Sequence, residues 1–125
     1  MEKNAKGLYK LLFNSDSMKE QEMNLNIRYD APDEVWDKVP VIYAQLNGWL
    51  GYGTGGDHGE KGIPYWFSFN ENEKHICASV EPGGLQFTGL MDTEEWDIWV
   101  KAIKEIATKE LGYKVGEIEQ GEVDF

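Results

Sequence analysis

The residues best equipped for chemistry in this chain stand together at Asp57-His58-Gly59-Glu60, where three potential metal ligands fall within four positions. Metal sites are built from such side chains, but only where a surrounding shell orients them. This run lies inside the glycine-rich stretch from Gly53 to Gly62, which has no bulky anchors, so a solvated surface loop without functional metal is expected. Lys61 is followed by Gly62 rather than Ser or Thr, which removes a phosphate-binding P-loop, and no dinucleotide fingerprint opens a helix. Cys77, the single cysteine, sits in the alternating apolar run Ile76 to Val80 and reads as a buried structural thiol rather than a nucleophile. With 23 acidic residues some carboxylate pair always has glycosidase-like spacing, so that spacing says nothing. The reading is a protein that is not an enzyme, with no catalytic residue and no cofactor.

Binding chemistry is better represented. The formal net charge of −11 repels nucleic acid and anionic membrane and attracts cationic surfaces over a Debye length of about 8 Å. The expected partner is therefore a basic protein. Trp49, Tyr52 and Trp66 flank the glycine loop and Asp57 and Glu60 lie within it; Trp and Tyr anchor interfaces by burying large area at low entropic cost. For Trp49 and Trp66 the alternative is a place in the core, whereas Trp96 and Trp99, on a helical stripe, are core. Glu117, Glu119, Glu122 and Asp124 concentrate acid at the C-terminal end, as a partner-facing patch or as a solvated tail.

The elements that must position these residues follow from periodicity. Leu25, Ile27 and Tyr29 alternate with Asn24, Asn26 and Arg28, a strand with one buried face. Asp30 offers an N-cap, Pro32, Asp33 and Glu34 suit a first turn, and Val35, Trp36, Val39, Ile42, Tyr43 and Leu46 trace a helix that Pro40 kinks or splits before Asn47-Gly48 ends it. Trp49 to Gly53 is a short strand. Tyr65, Phe67 and Phe69 share one strand face with Trp66 and Ser68 on the other, and turns at Asn70-Glu71-Asn72-Glu73 and Pro82-Gly83-Gly84 complete an antiparallel meander through His75 to Glu81 and Leu85 to Thr88. Asp92 and Glu95 form a capping box ahead of the stripe Trp96, Trp99, Val100, Ile103, Ile106, Ala107 and Leu111, which Gly112 closes. The tail from Tyr113 is a last edge strand or an extended acidic segment.

The sum is a two-layer α+β domain, an antiparallel sheet of roughly four to six strands with two main helices on one face. Hydrophobic residues at 41% and aromatics at 13% are ample for a core. Residues 23–125 form this single domain, and residues 1–22, with Lys3, Lys6 and Lys10 against Glu2, are an appendage holding a short helix around Leu8, Leu11 and Leu12 or a frayed leader. The apolar run Leu8 to Phe13 is too short for a secretory signal, no stretch approaches the ~20 apolar residues of a membrane span, and a lone cysteine suits a reducing compartment. The expected location is cytoplasmic.

The ordered set Val35-Trp36, Ile42-Tyr43-Ala44, Asn47-Gly48-Trp49-Leu50-Gly51-Tyr52-Gly53, Ile63-Pro64-Tyr65-Trp66-Phe67, Ala78 through Phe87, Trp96 to Trp99 and Leu111-Gly112-Tyr113-Lys114-Val115-Gly116-Glu117 resembles small bacterial immunity proteins, the cognate antitoxins of polymorphic and contact-dependent growth inhibition toxins. The resemblance spans residues 24 to 119. It implies a non-enzymatic protein that binds one toxin domain, often a basic nuclease, and blocks its active site or substrate path. The alternative expectation is a small-ligand or glycan-binding module that uses Trp49, Tyr52 and Trp66 around the loop.

Overall fold

The computed structural model describes residues 18–124. β1 (Met18–Leu25) leads to α1 (Asp33–Gln45); β2 (Trp49–Tyr52), β3 (Pro64–Trp66), β4 (His75–Glu81) and β5 (Gly84–Asp92) follow, and α2 (Thr93–Leu111) comes last. The strands form one five-stranded sheet in the order β1-β5-β4-β3-β2, antiparallel at every pairing. β2 to β5 are the expected meander. β1 returns to pair with β5 from Met18↔Asp92 to Leu25↔Leu85, so α1 has to cross the sheet from one edge to the other.

Alternation along the strands sorts side chains between two faces. Met23 and Leu25, Ile76 and Ala78, Leu85, Phe87 and Met91, and Trp66 meet Val39, Ile42 and Tyr43 of α1 and Trp96, Trp99, Val100, Ile103 and Ala107 of α2 in one core. Both helices thus lie on the same face, the expected two-layer α+β arrangement. Among the described residues no helix is long and apolar enough to cross a membrane.

α2 begins and ends where its caps dictate. Asp92 Oδ2 accepts from the amides of Glu94 and Glu95 at 3.1 and 3.3 Å, and Gly112 closes the helix in the left-handed region at φ 79°. Glu95 does not complete a capping box; its carboxylate reaches Lys74 Nζ at 2.6 Å instead. α1 departs further from expectation. Asp30 is held by Arg28 (Nε–Oδ1 2.9 Å) and not by the helix, whose N-cap, Pro32, offers no side-chain cap. Pro40 does not split it, because Val39, Ile42 and Tyr43 on either side are buried in the core and packing outweighs one missing backbone bond.

Three other corrections change the outline. Met18–Glu22 belong to β1, so the sheet extends into the segment assigned to the 1–22 appendage; the helix expected around Leu8 lies outside the described residues. β3 stops at Trp66, because Phe67 turns into the left-handed region at φ 73°, and Tyr65, Phe67 and Phe69 do not share a strand face. The C-terminal segment is neither a strand nor extended: it touches β1 through the single bridge Leu25↔Glu117 and then coils into a 3-10 turn, Ile118–Gln120.

Trp66, expected as a candidate surface anchor, has no exposure at all. Its ring centroid lies 5.0 Å from that of Tyr43, 5.1 Å from those of Trp49 and Trp99, and 6.0 Å from that of Phe87. Nε1 donates to the Tyr43 carbonyl at 3.2 Å, and Trp99 Nε1 donates to Asn47 O at 3.1 Å, so two indoles satisfy carbonyls at and just beyond the C-terminal end of α1. Trp66→Ala is expected to cost about 3–5 kcal/mol in urea unfolding through lost burial and a cavity. Tyr52→Ala, at a position 42% exposed on the sheet edge, should cost about 1 kcal/mol or less. Equal midpoints for the two variants would overturn the placement of Trp66 at the centre of the core.

Candidate functional site

The face that the helices leave uncovered is built from the opposite parity. Glu20, Glu22 and Asn24 of β1 stand beside Leu90, Thr88 and Gln86 of β5, which stand beside His75, Cys77 and Ser79 of β4; Tyr65 of β3 follows next to Cys77. Glu22, Thr88, Cys77 and Tyr65 therefore form one row across four strands. Gln86 Nε2 donates to Glu22 Oε2 at 3.0 Å, and Cys77 Sγ and Thr88 Oγ1 lie 3.4 Å apart.

Two loops raise walls over this face. The glycine stretch folds back on itself, with Gly53 N donating to Ile63 O at 2.7 Å, Gly62 N to Gly53 O at 2.9 Å and Gly55 N to Gly59 O at 2.8 Å around a 3-10 turn at Gly56–His58. It lies against Tyr65. The Tyr65 hydroxyl accepts from Glu60 N at 3.0 Å and donates to Glu71 Oε2 at 2.9 Å, tying the glycine loop to the Asn70–Lys74 turn. Phe69 packs at a tilt against Tyr65 with centroids 5.5 Å apart, and His58 meets Phe69 edge-on at 6.4 Å. Gly59 is needed for this fit: it sits at φ 78°, and a Cβ there would lie 2.6 Å from the Tyr65 ring.

Two open hollows share Glu71: one of about 730 Å³ between the glycine loop and the Asn70–Lys74 turn, and one of about 560 Å³ between that turn and β1 with β5. The first is lined by Asp57, Glu60, Lys61, Tyr65 and Phe69 among others, the second by Glu20, Glu22, His75, Thr88 and Leu90. Five carboxylates (Glu20, Glu22, Asp57, Glu60 and Glu71) thus face a groove that holds one lysine, Lys61. Among the described residues the ion pairs are Arg28–Asp30, Lys74–Glu95 and Lys104 with Glu117 and Glu122, and none includes a groove acid. Burial pushes the Cys77 thiol and the Tyr65 hydroxyl up from their ordinary values, which favours the protonated form of both at neutral pH. Cys77 is half-buried on the open face rather than sealed in the core.

The residues singled out by sequence do not form one site. Asp57 and Glu60 line the groove. Tyr52 lies on the edge strand β2, its ring 6.5 Å from Tyr43 of α1, and Trp49 is wedged between Tyr43 at 5.7 Å, Trp66 at 5.1 Å and Tyr52 at 5.5 Å, while Trp66 is inside the core and cannot touch a partner. Glu117, Glu119, Glu122 and Asp124 follow the Leu25↔Glu117 bridge at β1, the opposite edge of the sheet from β2. Two of these four are engaged: Lys104 Nζ lies 2.6 Å from Glu117 and 3.0 Å from Glu122. Glu20, Glu22, Glu71 and His75 were not anticipated. The alternation of Glu20, Glu22 and Asn24 with Gln21, Met23 and Leu25 carries the β1 pattern upstream and is the signal that would have found the first two.

The tail clasp has its own pH behaviour. Burial works against the Lys104 charge, but the hydrogen bonds it donates to Glu117 and Glu122 overcome it and the net shift is upward. Glu122 is held below the usual 4.5, first by the Glu117 amide that donates to it at 2.9 Å and then, against partial burial, by Lys104. A carboxylate whose folded value is depressed stabilises the fold above its unfolded value and loses that contribution as pH falls through the folded one. The Glu117 amide resonance should therefore titrate with a midpoint below 4.5, and Lys104→Met should move that midpoint upward; a midpoint at or above 4.5 in the parent protein would remove the clasp. No protein-family model, curated protein or solved structure matches this chain.

Proposed function

We propose that this protein is an immunity protein, a non-enzymatic antitoxin of the cytoplasm that binds a cognate cationic toxin domain, of the nuclease class, and occludes its active or substrate site. One observation carries the reading: the uncovered sheet face presents Glu20, Glu22, Asp57, Glu60 and Glu71 around two adjoining hollows, with no cation paired to them among the described residues. Unpaired carboxylates facing a partner's basic cleft steer encounter and penalise wrong partners. A surface that complements a nucleic-acid-binding cleft has to be acidic, and a net charge of −11 supplies the long-range part of that field. The resemblance to small bacterial immunity proteins points the same way. The glycan-binding alternative has lost its central platform, because Trp66 is buried and Trp49 is largely covered by its aromatic neighbours.

The test is binding kinetics against the product of the reading frame adjacent to the protein's own gene, at several ionic strengths, beside a toxin-protection assay. Association should slow steeply with salt while dissociation changes less. Glu20→Gln, Glu22→Gln, Glu60→Gln and Glu71→Gln together should slow association about tenfold or more at low salt, mimicking high salt. Glu119→Gln with Asp124→Asn, at the other edge of the sheet, should change it about twofold at most. Salt-insensitive association, or full protection by the groove variant, would refute the groove as the contact surface.

A further inference from the structure

Within the acidic groove one side chain stands apart from the carboxylates. His75 is only 6% exposed, the one buried polar or charged side chain among the described residues, yet it lies on the face the helices do not cover and lines the second hollow. Its Nδ1 stands 2.9 Å from the Glu73 carbonyl, and since a carbonyl oxygen only accepts, Nδ1 carries the hydrogen of that bond. The neutral ring therefore presents Nε2 as an acceptor, and no hydrogen bond to Nε2 forms among the described residues. Trp36 Nε1 is the only buried side-chain nitrogen or oxygen left without a partner among the described residues, so Nε2 of the otherwise covered ring is open to the hollow and to a donor from outside.

The surroundings specify that donor. His75 and Glu20 are both register partners of Leu90, one on each side of β5, which puts their backbones about 10 Å apart at ordinary strand spacing. Glu22 and Glu71 line the same hollow. Apart from the Asn72 amide, which also lines this hollow, the groups here accept: Nε2, Glu20, and the carboxylate oxygens of Glu22 and Glu71 beyond their bonds from Gln86 and Tyr65, a set that favours a ligand with several donors and a positive charge. Among the described residues no three His, Cys, Asp or Glu side chains are placed to hold a metal ion, which leaves an organic cation. A guanidinium carries five N–H donors in a planar fork and can bond a carboxylate on one edge and an imidazole nitrogen on the other, whereas an ammonium presents three donors from a single point. Leu90, in the same row, offers apolar surface for the methylene stem.

We infer that His75, with Glu20, Glu22 and Glu71, forms a subsite that takes an arginine side chain of the partner, the imidazole Nε2 accepting from the guanidinium while the carboxylates neutralise it. This rests on the reading of the groove as the surface that meets a cationic protein, and it adds which residue of that protein is read and by what.

Two probes separate the subsite from general attraction: hexa-arginine and hexa-lysine peptides, each titrated into the full-length protein at low and at moderate salt. The His75 ring nitrogens are followed by long-range ¹H–¹⁵N correlation spectra. Hexa-arginine should move the Nε2 resonance along with the amides of Thr88 and Leu90, with hexa-lysine moving it far less. His75→Phe, which keeps a ring of similar size without the acceptor, should weaken hexa-arginine binding about fivefold and hexa-lysine binding less than about twofold. Should His75→Phe fail to fold, the parent-protein ring shifts decide alone. An unmoved Nε2 under saturating hexa-arginine, or equal effects of the two peptides, overturns the subsite. If the adjacent gene's product binds the parent protein and His75→Phe with equal affinity, the subsite falls and the immunity reading stands; if that product does not bind while hexa-arginine moves Nε2, the reverse holds.

Discussion

Trp66 has no contact with solvent and four aromatic neighbours, so its indole N–H either finds an acceptor inside the protein or costs the folded state about 1–3 kcal/mol. The acceptor is the carbonyl of Tyr43, near the end of α1, which also accepts from the Leu46 cap amide at 3.2 Å and has a second lone pair for the indole. That one bond, with the parallel one from Trp99 to Asn47, fixes where α1 stops and where the chain enters β2. Gly48 then accepts from the Phe67 amide at 2.7 Å, closing β2 onto the segment that follows β3. A helix, an edge strand and the middle of the sheet are held in register by a pair of indoles.

The same strand organises the other face. Side chains alternate along a strand, so once Trp66 is committed to the helices, Tyr65 has to point the opposite way. It is also buried, at 1% exposure, but under the glycine loop instead of a helix. Its hydroxyl bridges Glu60 N and Glu71, and these two bonds give the loop and the neighbouring turn fixed positions above the sheet. Core and groove are thus two consequences of one dipeptide. Phe67, at φ 73° with Lys74 Nζ 4.8 Å from its ring centroid, ends the strand immediately after Trp66 and leaves the groove rim to turns.

Electrostatics then divides the surface. Lys74, Lys104 and Arg28 are drawn into pairs with Glu95, with Glu117 and Glu122, and with Asp30. The two exposed pairs, Arg28–Asp30 and Lys74–Glu95, contribute little to stability, yet each pair removes a cation from circulation. Among the described residues, carboxylates outside these pairs stand on both layers: Asp33, Glu34, Asp37, Glu94, Asp97, Glu105 and Glu110 on the helices, and Glu20, Glu22, Asp57, Glu60 and Glu71 around the open sheet face. The C-terminal acids are the converse: a sequence dense in Glu reads as a free patch, but Lys104 binds two of the four carboxylates and coils the segment against β1.

Local chemistry alone determined the elements whose signals are short in range. α2 was legible from Asp92 to Gly112 because an N-cap, an apolar stripe and a left-handed glycine are all read within a few residues, and the β4–β5 hairpin was legible from alternation around Pro82-Gly83. The acid excess and the absence of nucleotide or nucleophile motifs were equally open to reading. Only tertiary structure decided which acids act together. Glu20 and Glu22 reach Glu71, Asp57 and Glu60 through the pairing of β1 with β5, a contact across some 70 residues that no local pattern encodes. Periodicity tells that Tyr65 and Trp66 face opposite ways, but it cannot say which face the helices will cover, so it left Trp66 between core and surface and did not single out His75. Pro40 and Asp30 misled for a related reason: helix-breaking and capping tendencies amount to a few kcal/mol or less, and the burial of Val39, Ile42 and Tyr43 outweighed the first while Arg28 claimed the second.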